Sequence, residues 1–115
     1  MARRKTPLNE APPYGVEQAL TRLGANLRTA RLRRNLTIEE VAQKIGTGAR
    51  AVMDAEKGRP GTGGAVYLAL LWAYDLLSQM ELVGDPALDA EGLSRLDHRE
   101  RARTPGKGGG LDNDF

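Results

Sequence analysis

The sequence predicts an all-α protein of four to five short helices with flexible N- and C-terminal tails. Three observations carry this prediction. Apolar residues recur three and four positions apart, which is the spacing of one helix face. Helix-capping residues, glycines and prolines stand where those patterns begin and end. No segment shows the alternating pattern of a half-buried β-strand.

The 115 residues correspond to one domain with extensions on both sides. Residues 1–14 contain three prolines and few apolar side chains, which favours a flexible basic arm. Residues 15–84 contain the helical patterns and form the predicted domain. Residues 85–115 turn acidic, then basic, then glycine-rich, so we expect a C-terminal extension and flexible tail.

The first helix is predicted from about Val16 to Arg34, because its apolar residues fall on one face. Thr37 begins the second helix, since Glu40 lies three residues later and completes a capping box. The residues on the apolar faces of these two helices are Val16, Leu20, Leu23, Leu27 and Ala30, then Val41, Ala42 and Ile45.

Gly46 is expected to end the second helix in a tight turn, and Thr47 to cap the third. The third helix runs to Gly58 and turns Ala51, Val52 and Ala55 inward. After the link GRPGTGG, a fourth helix is predicted at 64–77. A short fifth helix is predicted at 78–83, and a short helical turn at 89–96.

Charge is distributed unevenly along the chain. Residues 1–60 contain twelve Lys and Arg against six Asp and Glu, whereas residues 61–115 contain five against nine. A basic segment is attracted to nucleic-acid phosphates through counterion release, and an acidic segment is repelled. The first half is therefore the candidate nucleic-acid-binding part.

Catalytic and metal-binding patterns are not found in the sequence. There is no cysteine, and His98 is the only histidine, so neither a thiolate site nor a histidine cluster is available. The stretch GTGG follows no strand and precedes no Gly-Lys-Ser/Thr, so it is interpreted as a link between helices. We expect no enzyme activity, no cofactor and no metal site.

The segment from Leu23 to Leu76 resembles the helix-turn-helix domain of the lambda-repressor and Cro family, also called the XRE type. The resemblance rests on LGANLRTAR, LTIEEVAQKIG and AEKG. It implies that the second helix crosses the DNA backbone and that the helix over 48–57 enters the major groove of double-stranded DNA. It also implies an ion pair between Arg31 and Glu56.

The resemblance assigns two sets of DNA-binding residues. Those facing bases are Gly48, Ala49, Arg50, Met53 and Asp54, and those contacting the backbone are Thr37, Gln43, Lys44, Lys57 and Arg59. Arg50 is suited to guanine and Asp54 to cytosine. Because these two residues are four positions apart on one helix, the alternative is that they pair with each other. Arg3, Arg4 and Lys5 of the arm are expected to follow a groove.

The apolar run AVYLALLWAY at 65–74 predicts a second contact surface, because a helix that is apolar on all sides must be covered on all sides. We expect a homodimer through this helix and the segment after it. The predicted interface residues are Tyr67, Leu70, Trp72, Tyr74 and Leu77.

A narrower resemblance is to HipB-type antitoxins, which repress their own operon and bind a kinase-like toxin. It rests on AVYLALLWAYDLL, the acidic DPALDAEGL and the basic RERAR. It implies a dimeric transcriptional repressor with a HipA-like kinase toxin as partner. In the tail, the predicted partner-binding residues are Leu111, Asp112, Asp114 and Phe115.

The alternative function is a degenerate helix-turn-helix adaptor that binds protein but no operator. Gly48 and Ala49 favour it, because they bring few polar atoms to the third helix.

The start of the chain has no apolar signal segment, and its longest apolar run is far shorter than the ~20 residues needed to cross a bilayer. We therefore expect a cytoplasmic, nucleoid-associated protein without membrane contact.

Overall fold

The computed structural model describes residues 7–102, and within that range it contains only helices and connecting segments. Six are α-helices: α1 Pro7–Glu10, α2 Tyr14–Arg33, α3 Ile38–Ile45, α4 Ala49–Glu56, α5 Gly64–Ala73 and α6 Ala90–Ala102. Two are 3-10 helices, Leu77–Leu82 and Pro86–Leu88. The predicted all-α class is confirmed. The described residues divide into two compact units, one ending at Ser78 and the other beginning at Gln79.

The N-terminal end is more helical than the sequence suggested. The short helix α1 lies inside the predicted arm, where Pro7 occupies its first position, a place that suits its fixed φ. The long helix α2 begins at Tyr14, two residues before the apolar pattern starts. The arm residues Arg3, Arg4 and Lys5 lie outside the described residues.

The core of the first unit is formed by α2, α3, α4 and α5. Its buried apolar residues are Leu27, Ala30, Val41, Ala42, Val52, Ala55, Tyr67, Leu70, Leu71 and Tyr74. Those from α2, α3 and α4 belong to the apolar faces predicted above. Burying one Val or Leu side chain contributes about 1.5–3 kcal/mol, so a core of this size leaves a small margin of stability.

Two glycines let α2 approach the end of α4. A Cβ added to Gly24 would lie 2.5 Å from the carbonyl oxygen of Glu56 and 2.6 Å from that of Ala55. Gly58 has a φ of 71°, and a Cβ there would lie 2.6 Å from the carbonyl oxygen of Leu20. The obstructing atoms are backbone atoms, so a side chain at either position would force the two helices apart.

Helix α5 ends at Ala73, although its predicted end was Leu77. Asp75 adopts a φ of 61°, in the left-handed region where a helix cannot continue. The amide of Leu76 then donates to the carbonyl of Leu71 at 2.8 Å, closing the end of the helix. The predicted fifth helix is present as the 3-10 helix Leu77–Leu82.

In the second unit, helix α6 is longer than the helical turn predicted at 89–96. Helix α6 extends to Ala102, and the ion pairs Glu91–Arg95 and Asp97–Arg101 support it at i,i+4 spacing. None of the residues 79–102 is buried. Among the described helices, none is long and apolar enough to cross a membrane.

The close approach at Gly24 gives a test of the α2–α4 packing. Gly24→Ala should lower the free energy of unfolding by about 1–3 kcal/mol, the usual cost of overpacking. Urea denaturation followed by far-UV circular dichroism measures it. Gly15→Ala in the same helix is the control: its Cβ would meet nothing within 4 Å, so it should be neutral or stabilising by up to about 1 kcal/mol. Equal stability of the two variants would contradict the packing described here.

Candidate nucleic-acid interface

Helix α3 begins at a complete capping box. The Thr37 hydroxyl accepts from the Glu40 amide at 3.0 Å, and the Glu40 carboxylate accepts from the Thr37 amide at 2.8 Å. The hydroxyl and the amide of Thr37 are therefore both used in this cap. Thr37 is exposed at the start of the helix, and its contact with the DNA backbone stays a prediction.

The turn between α3 and α4 is built on Gly46. Its φ of 82° places it in the left-handed conformation, and the Thr47 amide donates to the Ala42 carbonyl at 2.9 Å. The expected cap at Thr47 is wrong: Gly48 is the N-cap of α4 and offers no side-chain acceptor. The first amides of α4 are therefore left without a side-chain cap.

A buried ion pair fixes α4 against α2. Arg31 Nε lies 2.7 Å from Glu56 Oε2, and its Nη2 lies 3.0 Å from Oε1, so the guanidinium and the carboxylate meet as two parallel forks. Arg31 Nη1 also donates to the Leu36 carbonyl at 2.9 Å. The hydrogen bond to Glu56 is the main cause that raises the pKa of Arg31 above its usual value. The two residues named by the resemblance are thus in contact.

The outer face of α4 is the candidate reading surface. Val52 and Ala55 are buried, which turns Arg50, Met53 and Lys57 outward. Arg50 and Lys57 are exposed, Met53 and Ala49 are half-buried, and Gly48 is exposed. Arg50 forms no hydrogen bond or ion pair with any described residue, so its five donors are available to a ligand.

Asp54 pairs with Arg59 and not with Arg50. The distance from Arg59 Nε to Asp54 Oδ1 is 3.0 Å. The predicted alternative, a pair between Arg50 and Asp54, is therefore wrong, because the carboxylate has a cationic neighbour from the loop after α4. To accept a hydrogen bond from cytosine, the Asp54 carboxylate would therefore have to share or give up its contact with Arg59.

The remaining predicted backbone contacts lie on α3. Gln43 and Lys44 are exposed, while Val41, Ala42 and Ile45 of the same helix turn inward or are half-buried. The Lys44 ammonium lies 6.0 Å from the centroid of the Trp72 ring, a cation–π contact between α3 and α5. An exposed contact of this kind leaves the ammonium free to approach a phosphate.

The predicted dimer surface needs correction. Tyr67, Leu70 and Tyr74 are buried within their own unit, so they are not available to a second copy. The physical reason is that α5 packs against both α3 and α4, and Arg34 binds Tyr74 at its C-terminal end. Trp72, 55% exposed, and Leu77, 39% exposed, are the predicted interface residues that remain at the surface.

Arg34 holds the end of α5 and was not identified from the sequence. It donates to the Ala30 carbonyl and to the Tyr74 carbonyl, both at 2.9 Å, and lies 5.5 Å from the centroid of the Tyr74 ring. Burial, and then the nearby Glu56 carboxylate, raise the pKa of Tyr74 to about 12. Its hydroxyl has no hydrogen-bond partner in the described residues and stays neutral at ordinary pH.

No group of three or more His, Cys, Asp or Glu residues that could hold a metal ion occurs between residues 7 and 102.

The comparison with known families agrees with the helix-turn-helix arrangement of α3 and α4. A family model described as a helix-turn-helix domain matches residues 22–82, more than half of the chain. The chain belongs to this helix-turn-helix family. In such domains the second helix of the motif lies in the major groove, so membership of the family indicates DNA binding. Neither the curated proteins nor the solved structures contain a significant match.

The buried ion pair generates a stability prediction. Glu56→Gln should lower the free energy of unfolding by about 3 kcal/mol, because the Arg31 charge stays buried without its counter-charge. Urea denaturation measures the loss. Asp54→Asn, two positions earlier in α4, makes the same chemical change in an exposed pair and should cost about 0.2–1 kcal/mol. If both substitutions cost the same, Arg31 does not depend on Glu56 in the way described.

Proposed function

We propose that this protein is a transcriptional repressor that binds double-stranded operator DNA as a homodimer, with α4 in the major groove. The observation that carries the proposal is the free guanidinium of Arg50 on the outer face of a helix whose opposite face is locked to α2 through Glu56. A fixed helix with an unpaired arginine fork suits the two acceptors on the major-groove edge of guanine. Ala49 and Met53 beside it suit the methyl group of thymine.

Exposed polar side chains suited to phosphates support the same placement. Gln43 and Lys44 on α3 and Lys57 at the end of α4 are exposed polar residues on the two helices of the motif. Such residues fix the position of the protein on DNA but do not specify a sequence. Arg3, Arg4 and Lys5 of the arm, which lie outside the described residues, are proposed to add to this attraction.

The homodimer is proposed because one copy brings a single free arginine to the bases, and two copies on two half-sites double the sequence that is read. Trp72 and Leu77 are the exposed apolar residues proposed for the contact. Sedimentation equilibrium of the full chain, 12.5 kDa as a monomer, measures the assembly directly. A single species of monomer mass at micromolar concentration would remove the dimer from the proposal.

The proposed partner is a HipA-like kinase toxin, which would make this protein an antitoxin that represses its own operon. The support is the resemblance of the segment from α5 onward to HipB-type antitoxins. The tail residues proposed to contact the toxin lie outside the described residues; they are Leu111, Asp112, Asp114 and Phe115. Co-purification of the adjacent gene's product with the full chain, and its loss from a chain lacking residues 108–115, is the expected result. Equal recovery with both chains would exclude the tail.

The competing function is the adaptor without operator binding. It is favoured by one specific observation: Gly48 has no side chain and Asp54 is occupied, so α4 presents few free polar groups. Selection from duplexes with a randomised central region decides between the two. Enrichment of a common sequence supports the repressor, and the absence of enrichment, with or without retention of DNA, supports the adaptor.

Arg50 and Lys57 should behave differently in that selection. Arg50→Ala should weaken binding to the selected duplex by about 1–3 kcal/mol and relax the preference at one base pair. Lys57→Ala should weaken binding to all sequences alike and reduce the slope of log affinity against log salt. Fluorescence anisotropy at several salt concentrations measures both. An unchanged base preference in Arg50→Ala would show that Arg50 does not read the base.

A further inference from the structure

We propose that Arg59 is a positioning residue for sequence reading: it holds the carboxylate of Asp54 and thereby keeps α4 from reading or repelling DNA through that acid. The inference rests on the proposed function, and it changes the role expected for both residues. Asp54 becomes a silenced reader, and Arg59 becomes the residue that silences it.

The geometry ties Arg59 to Asp54 by two contacts from different parts of the residue. The Arg59 amide donates to the Asp54 carbonyl at 3.1 Å, and the Arg59 Nε lies 3.0 Å from Asp54 Oδ1. The backbone contact holds the start of the Arg59 side chain beside Asp54, and the side-chain contact joins its guanidinium to the carboxylate.

The loop that carries Arg59 is fixed by its predecessor. Gly58 is buried, adopts a φ of 71° and lies against the backbone of Leu20 in α2. The chain therefore leaves α4 along one path, and that path returns the side chain of Arg59 to the outer face of the helix.

The charges of α4 show what the pair does. Two carboxylates lie between residues 49 and 57: Glu56 is buried against Arg31, and Asp54 is 32% exposed on the side chain, at the reading surface. A bare carboxylate there would be repelled by phosphates and, at the base edges, is suited to accept from the amino group of cytosine. Paired with Arg59, it is neutralised, and the free cations Arg50 and Lys57 set the charge of the surface.

A plain phosphate contact from Arg59 predicts a different outcome, so the two roles can be separated. Loss of a phosphate contact weakens all sequences alike and does not depend on residue 54. Loss of a positioning residue exposes Asp54, so its effect disappears when Asp54 is removed as well. This dependence is a coupling, and a double-mutant cycle measures it.

The cycle comprises the wild type, Arg59→Ala, Asp54→Ala and the double variant of the full chain, measured by fluorescence anisotropy on the duplex selected by the wild type. Arg59→Ala should bind about tenfold more weakly, the size of coupling usual for residues in direct contact. Asp54→Ala and the double variant should both lie within about threefold of the wild type. Arg59→Lys, which keeps the charge, should bind nearly as the wild type.

The selected sequences supply a second readout that a loss of folding would not produce. Arg59→Ala should gain a preference for cytosine at one base pair where the wild type has none, and the double variant should lose it again. An equal loss of affinity from Arg59→Ala with and without Asp54, and no new preference, would overturn the positioning role while leaving the proposed function intact. A wild type that enriches no sequence would remove the proposed function, and this inference with it.

Discussion

The arrangement of the helix-turn-helix motif depends on the ion pair between Arg31 and Glu56. A buried ion pair adds little to stability compared with a well-packed apolar pair, since both charges lose their water. What it adds is direction, because the two parallel hydrogen bonds through Nε and Nη2 hold the planar guanidinium and the carboxylate in a defined relative orientation. Arg31 also holds the Leu36 carbonyl, so one side chain connects α2, the loop before α3 and the last turn of α4.

The close packing beneath that pair explains why α4 is held so firmly. Gly24 brings the backbone of α2 against the carbonyls of Ala55 and Glu56, next to the carboxylate that Arg31 binds. Distance is thus set by the glycine and orientation by the ion pair. The outer face of α4 can then carry an unpaired arginine, because nothing on that face is needed to hold the helix in place.

Much of this could be predicted from the sequence, where local rules decide. The capping box at Thr37 and the left-handed turn at Gly46 follow from residues a few positions apart. The ion pair followed from the family resemblance. Three features were not predicted, because they depend on the tertiary structure. The partner of Asp54 is Arg59, from the loop after α4, and Asp75 ends α5 inside an apolar pattern. Gly24 lies in the middle of α2, where a neighbouring helix leaves no room for a side chain.

The dimer prediction went partly wrong for a related physical reason. The apolar run exceeds what a single flat contact can cover, but α5 packs against both α3 and α4, and Arg34 binds the Tyr74 carbonyl at its end. Leu68 and Trp72 of α5, together with Leu77 just after it, are left exposed. Trp72 is the sole tryptophan of the chain and lies next to the Lys44 ammonium of α3. Its intrinsic fluorescence therefore reports on the environment of the helix-turn-helix motif. Any event that draws Lys44 away from the indole will change the emission of a protein that needs no dye.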